Sequence, residues 1–315
     1  MSGRLFRSRA SAATSGRREF LAGLAVALAG GPASAQGPGT ALLQRRIPSS
    51  GETLPVVGLG TWITFNVGDD PQGRAESVAV MRAFFEGGGR VIDSSPMYGS
   101  SQQVVGQGLR ELRAQGRVFS AEKVWVSPGS RGPAQVEATR RAWGVERFDL
   151  LQVHNLLAWE EHLPMLLAMK AEGRLRHVGI TTSEGRRHAE LEQVMRRHPI
   201  DSVQLTYNLV DREAEQRLLP LAAERGIAVI VNRPFQQGEL LRRLQRHPLP
   251  GFAREAGMAS WAQAALRFVV SHPAVTCAIP ATSQVTHVRE NLACAVGPQP
   301  DESLRRRLAE HLRSL

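Results

Sequence analysis

The sequence predicts an α/β fold, a single (β/α)8 TIM barrel over residues 44–315 with an N-terminal β-hairpin and extra C-terminal helices. Three observations predict it. Apolar strand-like runs end near Trp62, Asp93, Lys123, His154, Thr182, Gln204, Asn232 and Pro280, at intervals of 31, 30, 31, 28, 22, 28 and 48 residues. Each interval but the last is about one strand–helix unit. Helix-like segments separate the runs at about 73–86, 102–115, 134–143, 162–172, 187–197, 213–225 and 284–294. No composition break divides the eight units, which favours one closed parallel barrel. The competing open sheet needs a Gly-rich phosphate loop that opens a helix after an early strand. GLGTW (58–62) lacks the third glycine and opens no helix.

Taken in order, residues 36–43 read as a linker and 46–57 as a β-hairpin turning at Ser50-Gly51. VVGLGTW (56–62) is the first buried strand. The long last interval holds an inserted helix at 259–270, and a final helix at 301–315 lies outside the barrel. Alternation along LLQVH puts Leu150, Gln152 and His154 on one face and Leu151 and Val153 on the other. With His154 facing inward, Leu151 and Val153 meet the helix layer. Cys277 and Cys294 have neither metal spacing nor a disulfide framework. They read as buried free thiols, with a bridge open only in an oxidising compartment.

A hydrophobic content of 42% supports a proper core, and the net charge of +10 raises the question of nucleic acid. The arginines are interspersed with glutamates, with no basic arm and no base-stacking aromatic series, which argues against that partner. Part of the excess belongs to a leader, where Arg4, Arg7, Arg9, Arg17 and Arg18 face Glu19 alone. Arg17-Arg18-Glu19-Phe20-Leu21 is a twin-arginine pattern, followed by a Gly/Ala-rich apolar run at 21–31 and a small-residue cleavage site, Ala33-Ser34-Ala35. The expectation is a signal peptide at 1–35, engagement of the twin-arginine export machinery and a periplasmic mature chain. The alternatives are an uncleaved anchor and an over-long gene start. The apolar run is too short to span a bilayer comfortably, so no stable membrane insertion of the mature chain is expected.

The chemistry concentrates at strand ends. In RVIDSSPMYGS (90–100) a buried strand delivers Asp93, and the following loop presents Tyr98, one of two tyrosines. Lys123 ends VFSAEK and His154 ends FDLLQVH. Of 39 Lys and Arg residues only Lys123 and Lys170 are lysines, and a compact ammonium is different chemistry from a planar guanidinium. A buried aspartate needs a cation, and Lys123 on the next strand is available. A phenol titrates near ~10; an adjacent ammonium is expected to lower that value. A tyrosine so placed can protonate an alkoxide forming at a carbonyl.

These fragments, with GRLRHVGIT, SVQLTYN and IPATS…RENL, resemble the aldo/keto reductase family from about residue 46 to 291. The resemblance implies a (β/α)8 barrel that reduces aldehydes or ketones with NADP(H), without metal; NAD(H) is the alternative cofactor. Asp93, Tyr98, Lys123 and His154 match the catalytic tetrad, with Tyr98 as proton donor. Gly60, Thr61 and Trp62 match first-strand cofactor contacts, and Gln204 matches the residue that holds the carboxamide. Thr181-Thr182 stands in place of the usual Ser-Asn. Asn232 replaces the aromatic that stacks on the nicotinamide, beside Arg233, which can offer a charge to the pyrophosphate. Thr282, Ser283, Glu290 and Asn291 match phosphate and adenine contacts, whereas Ala281 and His287 replace a lysine and an arginine often used for the 2′-phosphate. Trp62, Trp125 and Asn155 are expected to wall the substrate pocket. The competing functional class is an exported nicotinamide-binding sensor or binding protein with little turnover; a tightly bound cofactor cycling between two substrates is a third reading.

Overall fold

The structure is a computed structural model that describes residues 41–315. The expected leader at 1–35 and most of the expected linker lie outside the described residues. Strands β1 (Gln44–Arg46) and β2 (Thr53–Pro55) form the N-terminal antiparallel hairpin. Eight strands follow: β3 (Leu59–Gly60), β4 (Val91–Asp93), β5 (Phe119–Val124), β6 (Phe148–Val153), β7 (Leu175–Thr181), β8 (Ser202–Thr206), β9 (Ala228–Asn232) and β10 (Val275–Ala278). They pair in parallel in chain order. Parallel bridges from Val57 to Ala278 and from Gly60 to Ala281 close the sheet on itself. A Cβ at Gly60 would sit 2.6 Å from the Ile279 carbonyl oxygen, so only glycine permits this seam.

The helices that cover the barrel are α1 (Pro71–Glu86), α2 (Ser101–Glu111), α3 (Gly132–Trp143), α4 (Trp159–Ala171), α5 (His188–Arg197), α6 (Leu218–Arg225) and, later, α10 (Val285–Ala293). Three features differ from expectation in instructive ways. The helix expected over 213–225 is a 3-10 turn, Glu213–Glu215, followed by α6. Pro220 explains the break: its ring excludes a helical carbonyl four residues earlier, so the helix starts at Leu218, with proline in its first turn. The interval before β10 contains α7 (Glu239–Leu244) and α8 (Gly251–Glu255) as well as the expected α9 (Trp261–Val270). Both unanticipated helices are too short for a periodic pattern to emerge. The first strand is also shorter than 56–62, because Val56 and Gly58 bond across the seam to Ala278 and leave β4 only Leu59 and Gly60. Outside the barrel, α11 (Glu302–Arg313) starts at Asp301, whose side chain accepts the Leu304 N–H.

The alternation expected in β6 is observed. Leu150 joins Val91, Phe119, Ala121, Ala228 and Ile230 inside the barrel, together with Ile47 and Leu54 of the hairpin, which plug its base. Leu151 and Val153 join the larger layer between sheet and helices. Cys277 belongs to the inner cluster and Cys294 to the outer one; both are free and buried. Among the described residues no helix is long and apolar enough to cross a membrane.

Candidate active site

At the C-terminal ends of the strands, a cavity of about 670 Å³ opens into the barrel mouth. Asp93, the last residue of β4, reaches its edge, and Lys123 of the neighbouring β5 lies buried beneath. The Lys123 Nζ donates to Asp93 Oδ1 at 2.5 Å and to the Ser94 carbonyl at 2.7 Å. Asp93 Oδ2 accepts from Gln204 Nε2 at 2.9 Å and from Gln152 Nε2 at 3.4 Å. Burial pulls the Lys123 ammonium down, but Asp93 first, then Tyr98 and Glu122, outweigh it, and its pKa ends above the ordinary value. The lysine stays charged.

Tyr98 is carried by a turn in which its N–H donates to the Ser95 carbonyl at 3.0 Å. The next residue, Gly99, has φ +59°, and a Cβ there would strike the Asn66 amide at 2.1 Å; no other residue makes this turn without displacing Asn66. Lys123 Nζ lies 5.2 Å from the Tyr98 ring centroid. Half-buried and facing the cavity, the Tyr98 phenol is pushed up to about 12, because burial outweighs the pull of Lys123. The lowering expected from the ammonium is therefore reversed. A neutral phenol across the physiological range is a proton donor, which is the role the chemistry needs.

His154 follows β6 and meets Tyr98 edge-on, with ring centroids 5.7 Å apart at 85°. Burial, and secondarily Lys123, hold its pKa well below the ordinary imidazole value, so it is neutral. Its Nδ1 lies 2.8 Å from Ser95 Oγ. Four expected positions thus converge on one mouth.

The cofactor-side expectations divide. Gly60, Thr61, Trp62, Thr181, Gln204 and Arg233 line the cavity near the tetrad. Thr282, which precedes α10, and Glu290 and Asn291 in its second half also line the cavity. Ser283 is exposed and stands outside that lining. Gln204 is engaged with Asp93, and the Thr181 hydroxyl accepts the Asn155 N–H at 3.0 Å. Asn232 is committed to the wall: it accepts from Thr206 Oγ1 at 2.7 Å and donates to the Thr182 carbonyl at 2.9 Å. Arg233 pairs with Glu184 at 2.9 Å, while its Nε is buried without a partner. On the substrate side, Asn155 lines the cavity and the Trp62 ring lies 6.5 Å from Tyr98. Trp125, expected to wall the pocket, is 38% exposed and 6.4 Å from His154 but stands outside the cavity lining.

Three functional neighbours had not been singled out in the sequence: Ser95, Gln152 and Glu122. Ser95 is two residues from Asp93 in the quoted run, and Gln152 is on the inward face already assigned to His154. Glu122 sits on the opposite face of β5, buried among Gln102 and Trp143. Burial raises its carboxyl to about 7. A charged residue at an outward, apolar-facing strand position was the available signal.

A closed parallel barrel that gathers a phenol, an ammonium, a carboxylate and an imidazole at one cavity defines a (β/α)8 oxidoreductase. The chain belongs to the aldo/keto reductase family, whose sequence profile matches residues 56–307. It is 32% identical over 258 residues to methylglyoxal reductase YeaE of Escherichia coli K12, covering 79% of this chain and 89% of that relative. It is 28% identical over 238 residues to the NADH-specific methylglyoxal reductase of the same organism, covering 64% of this chain and 70% of that relative. Among solved structures, an aldo/keto reductase from Klebsiella pneumoniae in complex with NADP and acetate superposes with a TM-score of 0.71 at 26% identity. That match covers 86% of this chain and 95% of the other.

Proposed function

We propose that the protein reduces an aldehyde or ketone to an alcohol using NADP(H), with Tyr98 as general acid. The observation that carries this reading is the meeting of the Tyr98 phenol with the buried Lys123–Asp93 pair at the edge of a cavity of about 670 Å³. The cavity fits a dinucleotide on its own chemistry: Arg186 and Arg233 line it, and the buried Arg233 Nε lacks a partner. Gly60, Thr61, Trp62 and Gln204 would hold the nicotinamide end, and Thr282, Glu290 and Asn291 the adenosine end. A reduced nicotinamide supplies the hydride when bound.

The chain supplies the proton. As charge develops on the carbonyl oxygen, Tyr98 gives its proton to that oxygen, and the phenolate left behind is stabilised by Lys123. Asp93 keeps the lysine charged and aimed, and is itself held by Gln204 and Gln152. Neutral His154 faces the same oxygen without placing a second full positive charge in the site. The named activities of the E. coli relatives favour a small aldehyde such as methylglyoxal as the first substrate to try. NAD(H) is the alternative cofactor, supported by Ala281 and His287 at the adenosine end and by the NADH-specific relative.

The test is to titrate NADPH and NADH by fluorescence and follow their oxidation with an aldehyde panel. Turnover that disappears in Tyr98→Phe while cofactor binding persists supports the mechanism; full turnover in that variant rejects it. Binding of cofactor with no turnover of any aldehyde would favour the second reading, a nicotinamide-binding protein, which draws on the engagement of Asn232 with the wall. The twin-arginine pattern at 17–21 further supports export of the folded chain to the periplasm. A mature N-terminus at Gln36 in a periplasmic fraction is the expected result, and a full-length cytosolic product would refute it.

A further inference from the structure

Ser95 lies two residues after Asp93 and is wholly buried, with 0% exposure. Among the described residues its hydroxyl oxygen has two hydrogen-bonding neighbours: the Met97 N–H at 3.2 Å and His154 Nδ1 at 2.8 Å. The backbone N–H can only donate, so Ser95 Oγ accepts there. That leaves the serine's own proton, and one acceptor within reach, the Nδ1 lone pair. In the opposite arrangement Nδ1–H would donate to Ser95, the oxygen would accept twice, and the hydroxyl proton would be buried with nothing to receive it. Buried donors are very rarely left so. A neutral imidazole carries a single ring proton. With Nδ1 engaged as acceptor, that proton sits on Nε2. The residue lines the cavity, and its other contacts are the edge of Tyr98 and the ring of Trp125.

We infer that Ser95 is a positioning residue: it holds His154 in the Nε2–H tautomer, so that the imidazole presents a donor, not a lone pair, to the substrate oxygen. A donor there polarises the carbonyl and strengthens as negative charge grows on its oxygen; an exposed lone pair would repel that charge. The catalytic consequence rests on the reading of the protein as a carbonyl reductase, whereas the tautomer does not.

The experiment therefore has two arms. In the first, the protein is labelled with 15N-histidine and its long-range 1H–15N correlations are recorded at neutral pH, with His154 assigned by its absence in His154→Gln. The expected pattern is a protonated Nε2 and a lone-pair Nδ1 in the wild type, changing to mixed tautomers in Ser95→Ala. A protonated Nδ1 in the wild type, or a His154 pattern unaltered by Ser95→Ala, overturns the inference. In the second arm, kcat/KM for an aldehyde is expected to fall about 10- to 100-fold in Ser95→Ala, with cofactor affinity unchanged. An undiminished kcat/KM in that variant overturns the positioning role. Absence of turnover in the wild type would instead reject carbonyl reduction, and the spectra would still decide the tautomer.

Discussion

The two ends of this barrel use charged residues for different purposes. At the base, Glu52 of the hairpin turn pairs with Arg176 at 2.5 Å and lies 3.4 Å from His177, and Arg176 also holds Asp149 at 2.5 Å. Lys170 grips Asp201 at 2.6 Å. Asp149 and Asp201 in turn accept the backbone N–H groups of Ser120 and Val178, so these ion pairs fasten the starts of β6 and β8 to neighbouring strands. At the mouth, a buried pair, Lys123 with Asp93, lies where Asp93 meets an open cavity. The backbone differs too. Among the described residues, every non-glycine residue at positive φ except Arg113 follows the C-terminal end of a strand: Ile63, then Asn155, Leu156 and Ala158, then Glu184 and Arg187, then Arg233, Gln236 and Gln237. Such conformations cost on the order of 1–3 kcal/mol each and persist where surroundings over-determine them. Arg187, for example, donates to the carbonyls of Asn155 and Leu156 at 2.8 and 3.0 Å. The base is arranged for stability and the mouth for presenting groups to a ligand.

Lys123→Met is the strongest way to break that contrast, since it should damage both properties. It leaves Asp93 buried without its cation, which costs roughly 3–5 kcal/mol, and removes the group that stabilises the phenolate. Urea denaturation and kcat together check it; intact stability would mean that Asp93 is relieved by solvent. Tyr98→Phe sharpens the contrast from the other side. Turnover should fall by ~10²–10⁴-fold while the denaturation midpoint barely moves. The same phenol sets a pH dependence: a group raised to about 12 is protonated below that value. The reduction rate should thus be flat on its tyrosine limb through neutral pH and fall only as pH approaches the phenol's own titration. A tyrosine limb near neutrality would contradict the burial argument.

Asp201→Asn should do the reverse of Tyr98→Phe, lowering stability by about 1–3 kcal/mol with kcat unchanged. Burial alone would raise this carboxyl, but hydrogen bonds from His177, Lys170, Ser49 and the Val178 backbone outweigh it and hold it below the usual carboxylate range. A depressed pKa contributes stability above the unfolded value, near ~4, and loses it as pH falls through the folded value. The gap between wild type and variant in thermal unfolding should therefore be full at neutral pH and close in acid. The smallest effect is expected for Trp125→Ala. Losing this exposed aromatic near His154 should raise KM for a bulky aldehyde a few-fold, about 1 kcal/mol, and leave a two-carbon aldehyde unaffected. Equal effects on both would place Trp125 outside the substrate's reach.

Much of this architecture was legible along the chain, because a period of two and a repeat near thirty residues are local properties. They located Asp93, Lys123 and His154 at strand ends and gave the inward face of β6. The same reading missed α7 and α8, which are shorter than a detectable helical period, and it ran the helix at 213–225 through the break that Pro220 imposes. It named Gln204 as a ligand-holding residue without seeing that Asp93, 111 positions away, takes its amide.

What the sequence by itself determined is the set of chemical groups and the order in which strands deliver them to one end of a barrel, since both follow from residue type and alternation. Tertiary structure alone decided the protonation of Tyr98, the exposure of Trp125, the partner of His154 Nδ1 and the seam at Gly60. The physical reason is common to all four. Each depends on how much water a group loses and on which distant atoms replace that water, and neither quantity exists until the strands have closed on one another.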